Sequence, residues 1–326
     1  MSINVAPTSR RNTPGLGALF TQALLLLVTL VVSVVLIVLL TMGRRETYQF
    51  SPFDPVSYGA QTGTYVGAVA DYFHGLFSGN LVGAATTPNK RKLMSKQIVD
   101  SGRRSLELLG VSLAASLVLG LGWGVLMDAT RGRGLGALLF GLNMIALALP
   151  SFLIILLLIS TVADITQRTG VRLAYTQGYG FDRHLLVPVA ALALRGGAYF
   201  AQAVALAQNE VSRHEWMTVA RAKGLGGLRL WWQHTRPLLY LPLLGGALGT
   251  LRVLVGSMIL VEYLYNWTGL SKLLLQINNL GIPTYKPEPV EVGAAVILVL
   301  FFVITDALGR LALWGTSLQR HELGAV

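Results

Sequence analysis

Arg195 and Arg252 sit in the middle of long apolar runs, 185–208 and 238–261. A guanidinium left facing hydrocarbon at that depth would cost about 2.5–3.5 kcal/mol, so both must face protein or water. Each can hold an anion or a carbonyl oxygen through its fork of N–H donors. Two assignments stay open: contact with a passing substrate, or a bond to a carbonyl or acid on a neighbouring helix. Asp306 and Arg310, four positions apart near the inner end of the last apolar run, are spaced to pair on one helix face. Covalent chemistry has little to work with. The chain holds no cysteine, which excludes disulfides, thiolate metal sites and thiol nucleophiles. It has no His-Glu-x-x-His and no Gly-x-Ser-x-Gly, and His74, His184, His214, His234 and His321 scatter among loops and ends. An intramembrane enzyme therefore lacks its nucleophile, base or metal ligands. No lysine ends a Gly-x-x-x-x-Gly-Lys-Ser/Thr phosphate loop, so the chain cannot itself supply an ATPase of that type.

The elements that must position these residues are apolar helices. At 53% hydrophobic and 13% charged, the 326 residues carry too few charges to cover a soluble globule. Uncharged or nearly uncharged runs at 18–42, 108–127, 135–163, 185–208, 238–261 and 292–314 are each long enough to cross about 30 Å of hydrocarbon. The expected fold is all-α: a polytopic membrane helix bundle of six transmembrane helices with both termini on one side. The first run is too long for a signal-peptide core and is followed by Gly43, Arg44, Arg45 and Glu46, which predicts an uncleaved helix. Pro150 inside the third run predicts a kink or break.

A cytoplasmic N-terminus divides the chain into an inside tail at 1–17, a first span at 18–42, an outside segment at 43–107 and a five-span core at 108–314. An inside loop at 209–237 interrupts that core, and 315–326 returns inside. The short loops favour this orientation: Arg131, Arg133, Arg213, Arg221, Lys223, Arg229 and Arg236 fall inside, against Arg168, Arg172 and Arg183 outside. The basic residues from Lys90 to Arg104 also fall outside, in a segment too long for its charges to set topology, and read as a headgroup-facing entry to the next helix. Within that segment Val66, Val69, Ala70 and Phe73 recur at helical spacing, which predicts a short external helix over 65–77. The net charge of +11 is distributed in such short blocks, with no soluble domain left to bind nucleic acid. Gly120 with Gly124, and Gly245 with Gly249, have the spacing of close helix packing.

The inside loop is the most informative segment. Glu215 to Lys223 predicts a short amphipathic helix with Trp216, Val219, Ala220 and Lys223 on one side and Arg221 on the other. Gly224 then supplies a stop or sharp turn, and Leu228, Leu230, Trp231 and Trp232 begin a second amphipathic stretch. From these residues alone, a docking knob for a cytoplasmic partner and an ordinary interfacial hairpin are equally good accounts.

A family resemblance separates them. The run Ala220-Arg221-Ala222-Lys223-Gly224-Leu225, with His234, Thr235, Arg236 and Pro237 at the family's spacing after the glycine, resembles the EAA loop of ABC importer permeases of the dipeptide/oligopeptide/nickel family. Ser105-Leu106-Glu107-Leu108, Leu149-Pro150-Ser151-Phe152, Val187-Pro188 and Glu262-Tyr263-Leu264-Tyr265-Asn266-Trp267-Thr268-Gly269-Leu270 resemble further segments of it. The resemblance covers about two-thirds of the chain and implies a type I importer-like fold in a prokaryotic plasma (inner) membrane. It further implies that Glu215, Thr218, Ala220, Arg221, Ala222, Lys223, Gly224, Leu225 and His234 couple to an ATPase. Arg195, Arg252 and Glu262 are candidates for the pathway or a gate. The implied partners are a second permease subunit, two ATPase subunits or domains and an external substrate-binding protein. This chain would hold no cofactor, ATP and Mg²⁺ being bound on the ATPase partners.

The chain departs from the family pattern in places. Thr218 stands where the general EAA glutamate would be, Thr268 and Ser271 replace a proline and a glycine, and Gln202 and Ala205 stand where many relatives have arginines. These departures bear on cargo more than on mechanism: peptides lead, with nickel, other metal chelates and sugars as alternatives. A secondary transporter or channel, the competing class, would be expected to show an ionisable relay or paired broken helices in two repeated halves.

Overall fold

The computed structural model describes residues 16–47, 63–78, 88–223, 236–275 and 289–323. Among them every regular element is an α-helix: α1 (Leu16–Thr47), α2 (Gly63–Phe77), α3 (Pro88–Ala129), α4 (Gly134–Ala148), α5 (Ser151–Thr169), α6 (Leu186–Ser212), α7 (Glu215–Ala222), α8 (Arg236–Leu264), α9 (Leu270–Leu275) and α10 (Pro289–Leu323). Five are long and apolar enough to cross a membrane: α3 over Lys96–Ala129, α5, α6, α8 over Leu238–Leu264 and α10 over Val292–Leu311. Shorter apolar stretches are Ala23–Leu39 of α1 and α4. Five of the six expected runs thus overlap a helix of spanning length, the third only in part, since α5 runs on to Thr169, six residues into the expected outside loop. The run at 18–42 is also helical, and its described apolar stretch is shorter.

The third expected run is two helices rather than one bent one. Pro150 has no N–H to donate and pushes the residue before it out of the α region. Leu149 accordingly sits at φ −67°, ψ 127°, ending α4, and Pro150 at φ −62°, ψ 141° caps the start of α5. A second difference lies before the second span, where helix begins at Pro88 rather than near residue 108. The basic residues from Lys90 to Arg104 are therefore turns of α3 itself, continuous with its apolar part. Proline at a helix start is favourable, since its missing N–H would have had no intrahelical partner. The expected helix at 65–77 is present as α2.

Close backbone approach holds the centre together. A Cβ at Gly120 would lie 2.6 Å from the Gly197 carbonyl oxygen, and one at Gly124 would lie 2.6 Å from that of Ala201, so α3 can lie directly against α6 only with glycine at both. Gly246 and Gly249 let α8 lie against side chains of α6, where a Cβ would meet Ala203 Cβ at 2.8 Å and Tyr199 Oη at 2.6 Å respectively. Gly249, the second member of the expected Gly245–Gly249 pair, is thus at this contact, and Gly246 joins it. Around this contact Leu108, Ile155, Leu192, Leu254, Met258, Trp267 and Leu270 are fully buried in one core drawn from α3, α5, α6, α8, α9 and the turn before it. Val38, Tyr72 and Val292 form a satellite cluster that joins α1 and α2 to α10.

Candidate functional site

At one end of the bundle α6 turns back on itself into α7. Arg213 N donates to Glu210 O at 3.2 Å, His214 N to Val211 O at 3.3 Å and Met217 N to His214 O at 3.0 Å, so no extended linker separates the two helices. Met217, 5% exposed, packs with Ala207 and Val211 of α6 and Leu239 of α8, flanked by Trp216 and Ala220. The inner face of α7 is therefore Trp216, Met217 and Ala220, and its outer face is Thr218, Val219, Ala222 and Lys223, all exposed. This corrects the face expected from the sequence. Val219 is 53% exposed and Lys223 points away with it, because α7 is rotated so that Met217 reaches the wedge between α6 and α8. Glu215 and Arg221 lie on α7 by backbone, while Gly224, Leu225, His234 and the second amphipathic stretch lie outside the described residues. The α3–α4 turn lies at the same end, where Arg131 Nη1 donates to Asn209 Oδ1 near the end of α6.

The intramembrane arginines each find a partner on another helix. Arg195 Nη1 donates to Leu149 O at 2.7 Å. After the break, Leu153 N and Ile154 N both turn to Pro150 O, so the Leu149 carbonyl has lost its helical donor and Arg195 supplies one. Arg252 Nη2 pairs with Asp306 Oδ1 at 2.6 Å, and Arg310 Nε with Asp306 Oδ2 at 2.7 Å. The expected Asp306–Arg310 pair is thus present, with Arg252 of α8 as a third member that sequence spacing gave no means of finding.

Glu262 lies at the other end of α8, fully buried. Its backbone carbonyl accepts from Trp267 N at 2.8 Å and its carboxylate Oε2 from Ser271 N at 2.9 Å. A Cβ at Gly269 would collide with that carboxylate, so the glycine is required for the turn to close. Asn266, at φ 61°, takes the left-handed conformation that this residue type tolerates. Around the turn, Ser105 Oγ accepts from Leu270 N at 2.8 Å, Trp267 Nε1 donates to Arg104 O at 3.2 Å and Arg104 Nη1 donates to Thr268 Oγ1 at 2.7 Å. Of the two departures from the family's proline and glycine, Thr268 supplies the knot with a side-chain acceptor, while Ser271 supplies a backbone N–H that a glycine would also supply. The 170–185 loop joins it. The Arg104 guanidinium stacks 4.6 Å above the Tyr179 ring, and Tyr179 Oη donates to Glu107 Oε2 at 3.0 Å. Burial, and then the Glu107 carboxylate, raise the Tyr179 hydroxyl above its ordinary range. In the same loop the His184 backbone N–H, and then its ring, hold Asp182 below the usual carboxylate range.

Residues 117–312 match the family described as binding-protein-dependent transport system inner membrane component, over more than half of the chain. The chain belongs to that family. It is 30% identical over 263 residues to the di/tripeptide transport system permease protein DppB of Pseudomonas aeruginosa (strain UCBPP-PA14), covering 72% of this chain and 76% of that protein. A putative peptide permease protein of Brucella suis biovar 1 (strain 1330) is 25% identical over 62% of this chain and 65% of its own length. The dipeptide transport system permease protein DppB of Bacillus subtilis (strain 168) is 26% identical over 61% and 63%. The chain thus spans slightly under two thirds of the length of the last two. Among solved structures, the inward-facing MetNI methionine ABC transporter shares the fold with a TM-score of 0.56 at 21% identity, over 68% of this chain and 96% of the matched one. In this inner membrane component the matched region contains α7, both intramembrane arginines and the Glu262 turn.

Proposed function

We propose that this chain is the transmembrane permease subunit of an ATP-binding-cassette importer, and that α7 is the element through which separate ATPase subunits move it. The observation that carries the reading is the two-faced packing of α7. Its inner face is locked by Met217 to both α6 and α8, and its outer face of Thr218, Ala222 and Lys223 is left uncovered at the end of the bundle. A push on that outer face is delivered to two membrane helices at once, which is what coupling requires. The interfacial-hairpin account explains exposure of the outer face but gives no role to the small Ala222 at its C-terminal end.

The assembly implied is this chain, a second permease subunit, two ATPase subunits and an external binding protein, with ATP and Mg²⁺ held by the ATPases. The chain would cross an inner membrane six times with both termini and α7 in the cytoplasm. The names of its relatives support a peptide as cargo. Purification in mild detergent should retain the ATPases, and vesicles should take up peptide only with ATP supplied. Uptake driven by an ion gradient from a preparation without any ATPase would instead establish a secondary transporter.

A further inference from the structure

Arg252, Asp306 and Arg310 form a cluster whose place in the bundle the coupling mechanism does not use. Two guanidiniums share one carboxylate, so the cluster keeps a net positive charge. Arg252 lies within the spanning part of α8, and Asp306 and Arg310 within that of α10. Yet the arginine side chains are 43% exposed and Asp306 is 26% exposed. Each guanidinium carries a fork of N–H donors, and the pairs with Asp306 engage one nitrogen of each. A net charge at this depth does not face hydrocarbon. It is not enclosed by this chain's own core either, since close to half of each arginine side chain is open. Gly309 fits the same picture: a Cβ there would stand 2.9 Å from Arg252 Nη2, so glycine lets the guanidinium lie against the backbone of α10. Beside the cluster Gly256 and Phe302 are exposed on the same two helices, four positions from Arg252 and Asp306 respectively.

We infer that the Arg252–Asp306–Arg310 cluster is an anion-binding site on the wall of a water-filled pathway, and that it takes the carboxylate of the cargo as it passes. The inference rests on the importer reading above and adds the chemical class of the group that the membrane subunit itself recognises. Asp306 holds the two forks in register, as a carboxylate accepts from two arginines at once. The two guanidiniums are thereby held beside one another, and their N–H forks suit a planar carboxylate. The single acid keeps the site weakly rather than strongly cationic, so that an anion can leave as well as enter.

The cysteine-free chain permits a direct test. Phe302→Cys, and independently Gly256→Cys, whose Cβ would make ordinary contact with Phe302 at 3.8 Å, are introduced into the assembled transporter with cysteine-free partner subunits. Each is labelled with an anionic and a cationic methanethiosulfonate reagent. The anionic reagent should react roughly ten-fold faster, as expected where a positive wall concentrates anions. Adding Arg310→Gln, which leaves the neutral Arg252–Asp306 pair intact, should remove most of that preference. Dialanine should slow the labelling, and dialanine amide, which lacks the carboxylate, should not. Failure of both cysteines to react with either reagent would place the cluster against lipid or the second permease and overturn the inference. So would equal rates for the two reagents, or equal protection by dialanine and its amide. A transporter that still requires its ATPases would leave the importer reading standing in each of those cases.

Discussion

Arg195 shows how one residue repairs a defect made by another. Pro150 breaks the helix and strands the Leu149 carbonyl, and Arg195 donates to it at 2.7 Å. Arg195→Leu should therefore destabilise more than loss of a surface charge would, because an acceptor left unmade away from water costs about 1–3 kcal/mol, and this one is part-buried. The check is the Tm of the detergent-purified protein. A Tm equal to wild type would show that the carbonyl is satisfied some other way. A second prediction concerns α7. Met217→Ala removes the buried anchor and should cost about 2–5 kcal/mol of local packing, whereas Val219→Ala, on the exposed face, should cost little. Limited proteolysis of the α6–α7 turn should be accelerated by the first and unchanged by the second. At this scale the sequence was legible in part. The charges, their spacing and the proline were visible, and so was the Asp306–Arg310 pair. The partners of Arg195 and Arg252 were not, because each lies on a helix that only the tertiary fold brings alongside. Glu262 was marked by resemblance alone, and its pairing with Ser271 depends on a turn that no periodicity describes.

The helices themselves were largely written in hydropathy and punctuation, and the departures have simple causes. Apolar runs report contact with hydrocarbon, not helicity, so the polar turns of α3 from Pro88 onward carried no signal of their own. The existence of α7 (Glu215–Ala222) followed from its amphipathic spacing, but its rotation is set by the wedge between α6 and α8, which receives Met217. The close contact of α3 with α6 makes a further prediction. Gly124→Val places its side chain against Ala201 O and Val204 and should cost about 1–3 kcal/mol by overpacking. Gly122→Val, where a Cβ meets nothing within 4 Å, should be tolerated. Comparing the two by thermal unfolding in detergent separates helix contact from a general intolerance of valine in α3. Equal losses would show that the α3–α6 approach is not what the glycines serve.

For the whole molecule the proposed arrangement is α7 and the α3–α4 turn at the cytoplasmic end, with the Glu262 knot and the 170–185 loop outside. Val171 is exposed in that loop and Arg133 in the turn. In right-side-out vesicles, Val171→Cys should react with an impermeant thiol reagent and Arg133→Cys should not, and the reverse pattern would invert the topology. The central claim, that α7 transmits the work of separate ATPases, is tested most directly at Ala222, which is exposed and whose substitution leaves the Met217 anchor untouched. The measurement is ATP-dependent uptake together with ATPase retention by the purified Ala222→Trp complex, at membrane expression equal to wild type. The account predicts that the ATPases dissociate or idle and that uptake falls by roughly ten-fold or more, the loss that follows when a docked surface is forced apart. Wild-type uptake and full ATPase retention in Ala222→Trp would contradict it.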